Sequence, residues 1–383
     1  MLKRLILSLF FIVNVLFAVA DDFRFNHGPY LQNLSGEGVT IYFTTSRRAF
    51  SWVEVKCDAW SEPRCFYTVR NGLVEAYNTQ NAIRITGLEA GREYSYRLVA
   101  KEMKEFRPYK IVYGDSIASQ WERFDTPSEG IDRCSFVVIN DGHDDASKVR
   151  RLLGYSTLDS ADAVFYLGDM VSHIEAAEVP YKGFIDVSVE LFARNKPFVA
   201  VRGNHETRGN MGRTFGEYVG RPEGKFYGIY YYGSTAVIVL DTGEDKPDAH
   251  PVYGDINRFD DYRREQAHWL GEQMRSKRFR KTRNRIVLMH IPPIIPGEDN
   301  SPEGHAVKEL NALFVPLFNK AGVDLVLSGH THRHFFVDKG TADNKFPLVI
   351  NDHKSVIDLS VSGEQINVKI TDEKGQITFD QNF

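Results

Sequence analysis

Cysteine is scarce in this chain. Cys57, Cys65 and Cys134 are the only three in 383 residues, and so small and odd a set excludes a disulfide framework as the basis of stability. Burial must hold the fold instead, and the length exceeds what one hydrophobic core usually organises, so about two domains are expected. An excess of charge of either sign is also missing. Lys and Arg number 47 against 51 Asp and Glu, a formal net charge of −4. The basic residues are scattered, which leaves no footprint for nucleic acid. Long apolar runs are absent with one exception, Leu5 to Phe17, which follows Lys3 and Arg4 and precedes the small residues Ala18 and Ala20. That order is the pattern of a secretory leader, and the run falls short of the ~20 residues that cross a bilayer. The expectation is a signal peptide over 1–20, export to a periplasm or the exterior, and no membrane span after cleavage. Oligomeric state has no signature in the sequence.

Export permits disulfides. Cys57 ends one alternating run and Cys65 begins the next, so a bridge across that hairpin and two free thiols both stay open. Cys134 falls in an expected core strand and is assigned to packing.

Two periodicities divide the chain. Over 21–127, short segments such as "GVTIYFTT" and "SWVEVKC" alternate apolar and polar residues, the pattern of half-buried strands. "AIRITGLEAGREYSYRLVA" adds a strand, a glycine turn and a second, tyrosine-rich strand, which suits an all-β sandwich of about one hundred residues. On that turn and strand the region resembles a fibronectin type III domain, which implies a spacer or cap. After a polar linker near 126–132 the pattern changes. Over 133–383, "CSFVVIN", "AVFYLGD", "PFVAVRGN", "RIVLMHI" and "VDLVLSGH" are continuous apolar strands, separated by stretches of helical spacing such as "DASKVRRLL", "FIDVSVELFAR", "DDYRREQAHWLGEQMR" and "HAVKELNALFVPLFNKAG". Strands apolar on both faces belong to a sheet covered on both sides, hence an α/β layered domain. The later strands "YGIYYYG", "TAVIVLDT", "FPLVIND" and "SVIDLSVS" predict a second sheet against the first, a four-layered sandwich of two β-sheets flanked by helices.

Each of the five strands ends in residues able to bind a metal: "DGH" at Asp141 and His143, "GD" at Asp169, "GNHE" at Asn204, "H" at His290, and "GHTH" at His330 and His332. Taken singly, a Gly-Asp pair is usually a turn and a lone histidine usually a packed one. Five such endings at five strand termini require a common cause, because functional groups of α/β sheets gather at the carboxyl ends of strands.

The ordered set "DxH … GD … GNHE … H … GHxH", spread over about 190 residues, resembles the signature of the calcineurin-like metallophosphoesterase superfamily. The resemblance implies two divalent metal ions, of which Mn, Fe and Zn are all compatible with such a donor set. It places Asp141, His143 and His332 on one, Asn204, His290 and His330 on the other, and Asp169 between both. His205 is left free for catalysis. Two such cations close together generate a hydroxide nucleophile at neutral pH and clamp a phosphoryl group. Neutral imidazoles and an amide oxygen fill the remaining positions without repelling a phosphate dianion. His205 would then protonate the leaving oxygen or stabilise its charge, and Glu206 would either orient His205 or stand solvated.

A fibronectin-like region joined to an exported phosphoesterase domain also looks like the purple acid phosphatases, whose motifs read "DxG" and "GDxxY", the tyrosine being a ferric-iron ligand. Here His143 and Ser172 occupy those places. Without a tyrosinate there is no charge-transfer chromophore, so the metal-loaded protein is expected to be colourless. A purple preparation in the visible spectrum would refute this.

On the substrate side, Arg208, Arg213 and Arg221 follow the presumed acid and are able to pair with a phosphate or with the group beyond it; surface solvation is the alternative for each. Residues 243–260 form a long polar connection expected at the rim of the site. His250, His305 and His334 lie outside the motif set and are placed at the rim or surface, with His305 a further candidate for substrate contact. The reading is an exported metal-dependent phosphoesterase acting on a small phosphate ester, most simply a monoester. Its alternatives are a phosphodiesterase or nucleotide pyrophosphatase on the same site, and an inert binding or adhesion protein.

Overall fold

The structure, a computed structural model, describes residues 22–128, 130–221, 223–297 and 304–383. The expected leader lies outside them. The N-terminal region is built from β1 (Tyr30–Ser35), β2 (Gly38–Lys56), β3 (Arg64–Phe66), the small hairpin of β4 (Val69–Arg70) and β5 (Leu73–Val74), β6 (Asn78–Thr86), β7 (Glu93–Arg107), β8 (Lys110–Ala118) and β9 (Glu122–Asp125). The two segments expected at 38–45 and 51–57 are one strand. β2 runs on because its partner changes: Gly38–Thr44 pair with β6, and Ala49–Lys56 pair with β7. The intervening residues thus stay extended while the strand crosses from one half of the sheet to the other. Val39, Ile41 and Phe43 from its first half share a core with Val53 and Val55 from its second, closed by Ile83, Tyr94, Tyr96 and Phe124. β3 pairs back on β2, opposing Cys65 to Glu54. Cys57 and Cys65 are both free thiols, and Cys134 is buried, where burial pushes its thiol up to about 12.

The second region opens with β10 (Arg133–Ile139) and α1 (Ala146–Leu153), capped by the Asp145 side chain on the Lys148 amide. β11 (Ala163–Leu167) follows, then α2 (Asp186–Ser188), extended on both sides by π-helical turns over Tyr181–Ile185 and Val189–Ala193, and β12 (Phe198–Val201). The rest comprises β13 (Gly228–Tyr232), β14 (Thr235–Leu240), α3 (Phe259–Gln273), α4 (Lys277–Arg280), β15 (Asn284–Met289), α5 (His305–Ala321), β16 (Leu325–Ser328), β17 (Phe335–Val337), β18 (Leu348–Ile350), β19 (Ser355–Ser362), β20 (Gln365–Asp372) and β21 (Ile377–Asn382). Two six-stranded sheets result, ordered β12-β11-β10-β19-β20-β21 and β13-β14-β15-β16-β18-β17.

The four layers are as expected, but three strands change sheets. β15 and β16, read with the first group, are parallel members of the second sheet, and "SVIDLSVS" (β19) joins the first, antiparallel to β10. All are apolar on both faces, so composition carries no mark of which sheet they enter. Phe136, Val138 and Phe165 of one sheet meet Val237, Ile286 and Leu288 of the other across the central layer. The alternate residues Val137, Ile139 and Val164 pack under α1 and the π-helical segment. Those of the second sheet, Ile238, Val287 and Val326, pack under α3 and α5.

The N-terminal region seats on this α/β unit through an aromatic and polar contact. Tyr30 is 1% exposed, stacks on Phe198 and donates to the Tyr218 carbonyl. His27 lies flat on Tyr181 at 3.9 Å between ring centres and reaches Asp186 at 2.9 Å and Glu178 at 3.2 Å. Burial opposes its charge, but the two carboxylates outweigh it, and its pKa stands above the ordinary 6.5. A raised folded-state value means that the stabilising proton is fully bound below the unfolded pKa and is lost as pH rises through the folded one. Thermal stability is therefore expected to fall as pH rises from about 6.5 upward, and His27→Gln to flatten that slope. A wild-type midpoint independent of pH over this window would contradict the assignment.

Candidate metal centre

The chain leaves five strands of two sheets at one edge, and the turns there are conformationally special. Asp141, His143, Asp169, His330 and His332 all have φ between 49° and 71°, a region that non-glycine residues adopt at a cost and that clusters at functional sites. Tertiary bonds hold these turns. The Gly168 carbonyl accepts from the Asp141 amide at 2.9 Å and the Asp169 carbonyl from the His143 amide at 3.0 Å. Gly203 is required by close approach, since a Cβ there would lie 2.2 Å from Asp169 Oδ1.

Two triads form. Asp141, His143 and His332 bring one donor atom each within 4.8 Å of one another, and so do Asp169, His290 and His330. In the first, His332 Nε2 is 3.3 Å from Asp141 Oδ1 and 3.1 Å from His143 Nε2. In the second, His290 Nε2 is 3.0 Å from Asp169 Oδ2, and Asn204 Oδ1 meets His330 Nδ1 at 3.1 Å. His205 joins both: its ring lies 4.8 Å from that of His143, and its Nε2 is 3.9 Å from Asp169 Oδ2. All seven expected ligands and the expected acid are thus brought to one place.

The donors fit divalent cations. Asp141 Oδ1 and His290 Nε2 are buried and make no well-aligned hydrogen bond, facing only His332 and Asp169 of the triads themselves, a costly state for groups of that polarity unless something else satisfies them. The other atoms are occupied: Asp141 Oδ2 accepts from Asn140 and from the His330 amide. His290 donates its Nδ1 proton to the Leu167 carbonyl at 2.8 Å, which fixes the tautomer and turns Nε2 inward. The field points the same way. Burial alone would lower His290, yet Asp169 and Asp141 push it up to about 10, so the pocket favours positive charge. Burial would raise Asp169, but His290 and His205 hold it well below the usual carboxylate range. His330, by contrast, is lowered to about 4 by burial and by His290.

Several supporting residues escaped the motif reading. Glu206 neither orients His205 nor stands in solvent. It is 1% exposed and accepts from the amides of Asp169, Met170 and Gly203 at 2.7–3.0 Å. Burial, then the charge of Asp169, push it up to about 7. Its place directly after the GNH triplet was the available signal. Asn140 clamps Asp141 and is itself tied to Asn351, and His353 lies 4.8 Å from the His332 ring; neither carries a motif. His205 donates its Nδ1 proton to the Ser172 carbonyl at 2.8 Å and accepts at Nε2 from Arg208 at 3.0 Å.

The substrate candidates separate. Arg208 is a structural cation held by Glu244, which is 2% exposed, through contacts of 3.0 and 2.8 Å. Arg213 is exposed and lines a cleft of about 460 Å³ with Thr207, Arg208, Lys246, Val252 and Ile256, so the 243–260 connection does form its rim. Arg221 stacks on Tyr230 and pairs with Glu223. His305 is drawn instead into a knot with Asp260 at 3.0 Å and Glu309, whose carboxylates are already met by the fully buried Arg263. His250 caps the Val252 amide on the rim connection, and His334 packs on Phe379.

Comparison with known proteins fits this architecture. The fold across both regions is similar to purple acid phosphatase PPD1 from yellow lupin seeds (Lupinus luteus), at TM-score 0.65 and 16% identity over 92% of this chain and 73% of that one. It is also similar to PhoD, at TM-score 0.59 and 12% identity over 92% and 88%. The profile of the calcineurin-like phosphoesterases matches residues 134–334, over half of the chain, and the chain belongs to that family. Among characterised sequences it is similar to the serine/threonine-protein phosphatase CPPED1 of Bos taurus, 31% identical over 142 residues, and to that of Homo sapiens, 28% identical over 140. The matched segment is 36% of this chain and spans 42% of the length of each relative.

Proposed function

We propose that the protein is an exported phosphomonoesterase whose two triads each hold one divalent ion, Mn, Fe or Zn. The observation that carries this reading is the convergence of Asp141, His143 and His332 beside Asp169, His290 and His330, with Asp141 Oδ1 and His290 Nε2 buried and facing only other members of the triads. When bound, two such ions activate water and neutralise a phosphoryl dianion. Asp169 would lie between the two ions; its Oδ2 faces His290 while its Oδ1 accepts from the His205 amide at 2.9 Å. Asn204 supplies its amide oxygen beside His330 without a further negative charge. His205 keeps its Nδ1 proton on the Ser172 carbonyl and accepts at Nε2 from Arg208, so a proton reaches the leaving oxygen from Nε2 only in the imidazolium form, with the Arg208 bond released. In the hydrolysis a water oxygen bonds to phosphorus and gives up one proton to solvent, the ester P–O bond breaks, and the departing oxygen takes the imidazolium proton, which the imidazole recovers from solvent.

Among the described residues no helix is long and apolar enough to cross a membrane. Export rests on the leader pattern at Lys3–Ala20, and cleavage is read directly from the N-terminal sequence of the purified exported protein. The activity is tested with an aryl phosphate monoester and its matched diester, using the metal-loaded chain with Asn204→Ala as the blank. Turnover of the monoester well above the blank supports the proposal. Preference for the diester would favour a phosphodiesterase on the same residues, and turnover of neither with metals bound would favour a binding role.

A further inference from the structure

The cleft beside His205 has an outer wall that phosphoryl chemistry leaves unused. Arg208 connects the two, since it lines the cleft and places one guanidinium nitrogen on His205 Nε2 at 3.0 Å. The charges within are compensated with one exception. Arg208 is matched by Glu244 and Lys246 by Asp245, whereas Arg213 is exposed and has no acidic partner within ion-pair distance among the described residues. In the same cleft the rim connection presents Val252 and Ile256, 68% and 66% exposed. Single exposed aliphatics are ordinary. Two of them on one loop, lining the same small cleft as an unpaired guanidinium and joined through Arg208 to the presumed proton donor, form an amphipathic receptor. A volume of about 460 Å³ is that of a small-molecule site.

We propose that this cleft receives the leaving group, and that the substrate class is a phosphomonoester whose leaving group has an apolar body and a second anionic group. The apolar body lies on Val252 and Ile256, and the second anion pairs with Arg213. This rests on the phosphoesterase reading above, with the phosphoryl group between the two triads.

Three esters of primary alcohols test it: ethyl phosphate, 2-phenylethyl phosphate and 2-(4-carboxyphenyl)ethyl phosphate. Their leaving groups differ little in acidity, so the ratios of kcat/KM report the cleft. The wild-type full chain is expected to favour each over the one before by about tenfold, the lower end of what pocket contacts discriminate. In Val252→Ser/Ile256→Ser the phenylethyl-to-ethyl ratio falls toward one. In Arg213→Ala the carboxylated-to-plain ratio falls toward one while the phenylethyl-to-ethyl ratio persists. Equal ratios in wild type, or ratios unmoved by the substitutions, overturn the proposal, as does a phosphoserine peptide turned over faster than all three. Saturation-transfer NMR of the product alcohol, 4-(2-hydroxyethyl)benzoate, separates the two readings. If no ester is hydrolysed but the alcohol binds wild type and not Arg213→Ala, the cleft assignment stands and the phosphoesterase reading falls. Absence of binding to wild type overturns the cleft assignment.

Discussion

Asp169→Asn is expected to lower kcat/KM for an aryl phosphate by about two to four orders of magnitude. The substitution keeps the shape of the side chain and removes one negative charge from a residue that is 2% exposed. That charge faces His290 Nε2 at 3.0 Å, and its removal leaves positive charge in the pocket without its counterpart. Breaking a buried pair of this kind costs about 3–5 kcal/mol, which is the stated loss in rate if it is felt in the transition state. The effect has a structural component, because Oδ1 also accepts from the His205 amide. Metal content and rate should therefore fall together. An Asp169→Asn protein with unchanged metal content and a rate within tenfold of wild type would remove Asp169 from the centre of the mechanism.

His205→Ala is the second large effect, and its size should depend on the substrate. A positioned proton donor contributes about 10²- to 10⁴-fold when the leaving oxygen is basic. An alkyl phosphate should thus lose most of that factor, and a nitrophenyl phosphate, whose leaving group needs no proton, far less. Metal content should not change, since His205 lies beside the triads and belongs to neither. Steady-state kinetics on the two esters decide the point. An equal loss on both would mean that His205 orients the phosphoryl group and does not protonate the leaving oxygen. The neighbouring Arg208, already donating to Nε2, would then be the group nearest that oxygen.

The site was more legible in the sequence than the fold that carries it. Asp141, Asp169, Asn204, His290 and His330 each stand within three residues of the end of an apolar run, and a strand that ends in a polar residue at the edge of an α/β sheet leaves that residue little choice of location. Which sheet the strand joins is decided by packing between two apolar faces, and so β15, β16 and β19 could not be sorted. Ser46–Arg48 interrupt the alternation within β2 and make it resemble two strands in the sequence, whereas its continuity comes from the switch between β6 and β7. Residues whose role depends on a distant partner were invisible for the same reason. Glu244 is 36 residues from Arg208, and Asp260 is 45 from His305. Glu206 was in plain view, but only the fold reveals that its carboxylate closes on the backbone at Asp169 and Met170.

The most direct measurement is the number of divalent ions bound per chain, by elemental analysis of the purified protein and of its His332→Ala and His330→Ala variants. The two triads at the strand ends predict two ions in wild type, about one in either variant, and loss of aryl phosphate turnover in step with the ions lost. A wild-type protein that binds one ion or none, or variants that keep both with full activity, would contradict the two-metal account.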